Sequence, residues 1–463
     1  MKRVVRGGVA ACVLAMALPM TAQQAAWTVK PEWVKAHEEF LASDVMAGRG
    51  SATRDEQIAA TYVASEFEGY GLQHAPGMSS YLQMATLISP RLDGHATLSA
   101  GSVSVSEGKD FDLLVYGGSD LSGKLVRVPI TELKTTKFER GSIVLVTGVA
   151  GDPGKGFGAY TAARRAGAAA VLLQGEGVEG LYGVLGSQTK VGMHLEGVKP
   201  ERAQAAALAL KSAALDGVAA GTVVTLSAKE MAPAKMETFN AIGYLPGSDP
   251  KAGTILLTAH LDHLGTGKPV NGDAIYNGAN DDAAGTTAVM EFAHALAAGP
   301  KLRRSVLFVC YGSEEMGEYG SLYFGAHSPV PLKDLVANIE FEMIGNQDPK
   351  TPKGTLLFTG YDRSNLGLTL KEHGALVGPD PYPEQHFFER SDNYQLALKG
   401  VVAHTAAGWG TVPTYHQPND DIAHLDLPFM TAAIQSFVEP IRWLATSDFV
   451  PKWNPGGDPS KEK

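Results

Sequence analysis

Two cysteines in 463 residues leave almost no room for disulfide chemistry, and one of them, Cys12, lies in the N-terminal leader-like segment. Without it Cys310 stands alone, so no internal disulfide can form and stability must come from core size and metal. Basic residues are also scarce: 39 Lys and Arg face 49 Asp and Glu, a formal charge of −10, which argues against a nucleic-acid partner. Long apolar runs are missing as well. The apolar stretch Gly8 to Met20, preceded by Lys2, Arg3 and Arg6, is shorter than the roughly 20 residues that span a bilayer, so it reads as a secretory signal over 1–25, with cleavage between Ala22 and Ala26. Val9-Ala10-Ala11-Cys12 has the look of a lipoprotein processing box, but apolar residues continue past it. Removal of the three basic residues takes the charge from −10 to −13. The reading is an exported, periplasmic or extracellular protein without stable membrane insertion.

The common catalytic signatures are missing too. There is no His-Glu-x-x-His helix, no Cys-x-x-Cys pair and no Gly-x-Ser-x-Gly turn. Gly118 to Leu125 mimics a phosphate loop, but Leu125 stands where a hydroxyl would hold magnesium, and no helix follows.

What is there is an ordered set of acids and imidazoles at strand and loop ends: His260 and Asp262, Asp281 and Asp282, Glu314 and Glu315, Glu342, and Tyr415-His416. Two cations a few ångströms apart need a bridging carboxylate, further ligands that include neutral imidazoles, and a spare carboxylate as base. His260 and Asp262 follow an apolar strand on one side of it, so His260 can ligate while Asp262 fixes its tautomer. His263 points the other way and reads as structural. Asp281 and Asp282 stand at a helix start, where aspartates are ordinary caps, but the small-residue turn Gly278-Ala279-Asn280 lets a cation approach; Asp281 is the bridging candidate. Glu314 and Glu315 repel each other at a buried strand end unless a cation or proton intervenes, so one can bind metal while the other addresses a water. Glu342 faces inward between Phe341 and Met343, where an unpaired acid is costly. His416 taken alone reads as a surface histidine.

Helical spacing is expected over Trp33 to Leu41, Gln57 to Phe67 and Ala283 to Ala297. Strands are expected at 254–259, 305–310, 337–341, 355–359 and 401–405. Alternating strands and helices predict an α/β fold, a mixed, largely parallel sheet sandwiched by helices, with the chemistry at the carboxyl ends of strands. Residues 111–233 carry short β-type runs and none of the acid and imidazole set, so they read as a module inserted between a first catalytic part, 26–110, and a second, 234–447. The Gly-, Pro- and Lys-rich tail within 448–463 is expected to be disordered from Asn454 onward.

With these motifs in hand, the chain resembles peptidase family M28, zinc aminopeptidases related to leucyl aminopeptidases and glutamate carboxypeptidase. The resemblance rests on Leu41-Ala-Ser-Asp44 with Gly48-Arg49-Gly50, Thr238 to Gly243, Ala259-His260-Leu-Asp262-His263-Leu-Gly265, Gly278 to Gly285, Ser313-Glu314-Glu315-Met-Gly317, Arg390-Ser-Asp392 and Tyr415-His416. The insertion is similar to a protease-associated domain at Gly141 to Val146 and Ala162 to Ala168. The resemblance implies two divalent metal ions, zinc, with Asp281 bridging, His260 and Glu342 completing one site, Glu315 and His416 the other, Glu314 as general base and Tyr415 aiding the oxyanion. It also implies a peptide or protein substrate; the residues themselves point to reading from the N-terminus, since Arg390 alone is a candidate to hold a terminal carboxylate while the site is rich in carboxylates that can meet a free ammonium. Alternatives on the same scaffold are a carboxypeptidase, a glutaminyl cyclotransferase or a non-catalytic peptide-binding protein. Two positions depart from the family: Glu342 where Asp is usual, and Asn393 where His is frequent.

Overall fold

A computed structural model describes residues 27–116, 120–149, 153–176, 178, 193–198, 205–211, 213 and 215–461. The proposed signal, 1–25, lies outside them. Among the described residues no helix is long and apolar enough to cross a membrane.

The apolar runs at 254–260 and 305–311 are buried at every position, which only the centre of a sheet covered on both faces provides. They are the middle of a nine-stranded mixed sheet. Its four central strands, Ala403–Ala407, Leu335–Glu342, Thr254–His260 and Ser305–Tyr311, run parallel. Antiparallel strands Glu230–Leu245 and Leu82–Leu92 extend one side, and Leu356–Phe358 with Val377–Pro379 the other. Alternate side chains feed two cores. Ile255, Leu257 and Ala259 pack with helices Pro31–Leu41, Arg54–Gly69, Ala284–Ala297 and Leu427–Thr446, while Leu256, Leu307 and Val309 pack with Phe324 and Leu396 on the opposite face. Sequence reading placed the first two of those helices two and three residues late and the third one residue early. The earlier starts follow from Pro31 at the first helical position and from Thr53, which caps Asp55 N.

The insertion forms its own eight-stranded sheet, with Leu121–Pro129, Ile143–Thr147, Ala170–Gln174 and Ala206–Leu210 parallel at its centre. Ile143 and Leu145 face one core and Val144 and Val146 another, the second covered by Ala159, Tyr160 and Ala163 of helix Pro153–Arg165. This sheet starts upstream of the expected boundary at 111: Thr97–Ala100 and Val103–Ser106 pair into it. The chain enters and leaves along one paired arm, with Leu92 opposite Glu230, so the excursion runs from about the end of that arm to its return.

The tail corrects a second expectation. Residues 448–461 are ordered against the domain: Asn454 N donates to Arg363 O at 2.8 Å, Trp453 bridges to Ser364, and Pro459 is buried. Composition suggested disorder, but Trp453 finds an apolar seat against Phe388 and His404.

Candidate metal centre

Because the central strands are parallel, their carboxyl ends share one edge, and the chemistry-bearing residues gather there. His260 ends one strand and Glu342 another, and Glu314 and Glu315 follow a third by a tight loop. Helix Ala284–Ala297 comes close beneath them because residue 285 is glycine; a Cβ there would lie 1.9 Å from the Phe341 carbonyl oxygen.

Asp281 lies at the middle. Its Oδ1 is 3.2 Å from His260 Nε2, and its Oδ2 is 3.3 Å from His416 Nε2. His416 Nε2 is also 3.1 Å from Glu315 Oε2. Two sets of ligand-type atoms result, each within 4.8 Å of one another: His260, Asp281 and Glu342, and His263, Asp281 and Glu315. His260 Nδ1 faces the Asp262 carbonyl oxygen at 3.2 Å, an acceptor only, so that nitrogen carries the proton and Nε2 presents its lone pair. Although close to Asp281, Nε2 is buried without an aligned hydrogen bond. Lone pairs that converge without bonding each other suit a shared cation, and this chain's donor set fits one.

The field of the clustered carboxylates is strongly negative and draws protons onto the rings as it would draw a cation. Burial opposes charge on His260, but the carboxylates of Asp262 and Asp281 outweigh it and hold its pKa well above the ordinary value. Burial likewise opposes charge on His416, yet Asp281 and Glu315 lift it to about 10. Burial and the Asp281 charge push Glu315 up, while His263 and His416 pull it down to about 2. Glu314 goes the other way: desolvation, only partly offset by His260, and the Glu315 charge raise its pKa well above the usual carboxyl range. Of the adjacent pair, one is held ionised and the other accepts a proton readily.

The supporting residues explain the precision. The Asp281–Asp282 peptide is cis, and Asp282 turns away from the cluster to accept from Gly285 N at 2.9 Å, Met343 N at 3.0 Å and His260 N at 3.3 Å. Asp262 does more than expected. Its carboxylate accepts from Glu314 N at 3.0 Å, Glu315 N at 3.3 Å and Ser51 Oγ at 2.5 Å, so it anchors the Glu314 loop, and its carbonyl rather than its carboxylate fixes the His260 tautomer. His263 corrects the sequence reading. The strand stops at His260, alternation stops with it, and the His263 ring turns into the site with Nδ1 2.8 Å from Glu315 Oε1. Asn393 accepts from Thr405 Oγ1 and its N–H donates to Glu340, so that departure from the family pattern stays off the two ligand sets.

Three residues went unseen as participants. Arg49, fully buried, donates to the carbonyls of Leu41, Leu261, Asn277 and Gly278 and ties three loops together. Asp420 accepts Asn280 N and Asp281 N, each at 3.0 Å. Glu56 receives Phe239 N, Ala52 N, Ser313 N and two hydroxyls. Only Arg49 carried a signal, as part of the Gly48-Arg49-Gly50 motif; lone carboxylates on a helix or loop carry none.

Residues 240–439 match the model of Peptidase family M28. Aminopeptidase YwaD of Bacillus subtilis strain 168 is 28% identical over 247 residues, 52% of this chain and 49% of that one. The probable lipoprotein aminopeptidase LpqL of Mycobacterium tuberculosis H37Rv is 26% identical over 213 residues, 38% of this chain and 39% of that one. The chain thus spans half or less of the length of the curated relatives it matches. Among solved structures, a zinc aminopeptidase from Bacillus subtilis superposes with a TM-score of 0.52 at 19% identity, covering 90% of this chain and 96% of that one, and so shares its fold. The matched segment holds His260, Asp281, Glu314, Glu315, Glu342 and His416 together, so it is this part of the chain, 240–439, that is similar to peptidase family M28.

Proposed function

We propose that the protein is an exported two-zinc aminopeptidase that removes single residues from the N-termini of peptides. The observation that carries the reading is Asp281, with one oxygen toward His260 and the other toward His416. His260, Asp281 and Glu342 would hold one ion, and Asp281, Glu315 and His416 the other, while His263 steadies Glu315 by its 2.8 Å contact. Bound there, the ions supply Lewis acidity and lower the pKa of water from about 16 towards about 7.

The chain's own groups do the rest. Glu314, with its raised proton affinity, takes the proton of the attacking water and passes it to the leaving amine. Tyr415, 39% exposed and stacked on His416 with centroids 3.8 Å apart, stands at the mouth where its hydroxyl can meet the oxyanion. The free α-ammonium of the substrate is met by the surplus of carboxylates. The insertion is read as a protease-associated module, supported by its separate cores and by the central strand Ile143–Thr147, which takes in most of the Gly141 to Val146 stretch.

The test compares zinc-loaded protein on free and N-acetylated peptides. Release of N-terminal residues from the free peptide only is expected. Equal rates on both, or release of C-terminal residues, would overturn it.

A further inference from the structure

Beside the metal centre a small cavity of about 50 Å³ opens between the strand ends and the 387–391 turn. Its walls are chiefly apolar or hydroxylic, from Leu357, Phe387 and Ala407 together with Thr359 and Thr405. Two charged residues line it: Glu342, at the metal end, and Arg390. Gly410 lets Phe387 close the wall, since a Cβ there would fall 2.6 Å from the ring. The Arg390 guanidinium sits over that ring at 5.1 Å, which fixes it laterally without neutralising it, and it has no ion-pair partner among the described residues.

A pocket lined by one carboxylate and one unpaired guanidinium among apolar and hydroxyl groups is a receptor for a short dipole. Resting on the aminopeptidase reading, we infer that Arg390 is a specificity-determining residue that binds a substrate carboxylate, and that the carboxylate is the side chain of an N-terminal glutamate or aspartate. The α-ammonium faces the carboxylates around Asp281, the two methylenes of glutamate lie along Leu357 and Phe387, and the acid reaches the guanidinium fork. The cavity is too small for a continuing peptide, which favours a side chain over a C-terminal carboxylate.

The experiment uses full-length, zinc-loaded protein and the p-nitroanilides of glutamate and glutamine, which differ at the side-chain end and lack a terminal carboxylate. The expected ratio of kcat/KM, Glu over Gln, is about fivefold or more, the range of a partly exposed charge-assisted contact. In Arg390→Met the ratio should fall to one or below, and Arg390→Lys should restore part of it. Calorimetric binding of free L-glutamate against L-glutamine should follow the same order in the three proteins. A wild-type ratio of one, or a preference that survives Arg390→Met, overturns the inference. Loss of discrimination between Leu-Gly and Leu-Gly-amide in Arg390→Met, with the Glu over Gln ratio unmoved, assigns Arg390 to a terminal carboxylate and overturns the side-chain assignment. If no anilide is cleaved the aminopeptidase reading falls, and the calorimetric ratio still decides for or against Arg390.

Discussion

Replacing Glu56 with glutamine tests how the Glu314 loop is held. One Glu56 oxygen accepts Thr238 Oγ1 at 2.8 Å and Phe239 N at 3.0 Å. The other accepts Ala52 N at 2.7 Å, Ser313 N at 3.1 Å and Ser313 Oγ at 2.9 Å. Burial lifts this carboxyl to about 7, Asp262 adds to the rise, and the donors hold it down, so at pH 8 it is ionised and both oxygens accept. Glutamine keeps one acceptor oxygen. Whichever way the amide turns, its NH₂ faces at least one buried backbone N–H, and an orphaned donor of that kind costs about 1–3 kcal/mol. Adding the loss of charge-assisted bonds gives a cost of about 2–4 kcal/mol. At the size of the catalytic domain this corresponds to a melting temperature lower by roughly 3–6 °C. Differential scanning calorimetry at pH 8 reads it on the catalytic transition, and turnover should fall as well because Ser313 precedes Glu314. A melting temperature within about 1 °C of wild type would refute the reasoning.

Glu314→Gln should lower kcat by about 100-fold or more while zinc content, measured by plasma emission, stays unchanged. Asp420→Asn offers one acceptor where Asn280 N and Asp281 N need two, so zinc affinity, read by chelator competition, should weaken about 10- to 100-fold. Burial holds His404 neutral, its pKa lowered to about 4, with Nδ1 2.8 Å from Thr359 O and Nε2 2.7 Å from Ser364 Oγ. Its folded pKa lies below the unfolded value of about 6.5, so its contribution is complete above pH 6.5 and drains away down to pH 4, to a total of about 3 kcal/mol. His404→Gln should flatten the acid limb of a melting-temperature profile in that window, and an unchanged limb would show that other groups set it.

How far the sequence carried depended on what each residue signals locally. Strands 254–260 and 305–311 announced themselves because burial on both faces demands unbroken apolar runs. The acids at their ends were legible because carboxylates there are otherwise expensive. His263 was misread because alternation was carried past the last residue that obeys it. Helix Leu427–Thr446 was not singled out; Pro440 lies inside it, and proline reads as a breaker until the surrounding packing overrides it. The start of the insertion was misplaced because Thr97–Ala100 and Val103–Ser106 are four-residue strands without the apolar weight of the strands that follow. The tail was misread for the opposite reason: a single Trp453 outweighs several glycines once a seat exists for it.

The arm formed by Leu82–Leu92 and Glu230–Leu245 also fixes an order of events as the chain emerges N-terminus first. Everything between its two halves is translated before the second half exists, so the insertion, with its own cores, can be complete while its host is still two helices and a lone strand. Helices Pro31–Leu41 and Arg54–Gly69 wait through that whole interval for the sheet they cover, and their apolar faces stay bare until Thr254 and beyond emerge. A released chain truncated just past residue 230 should therefore hold a folded guest inside an unfolded host.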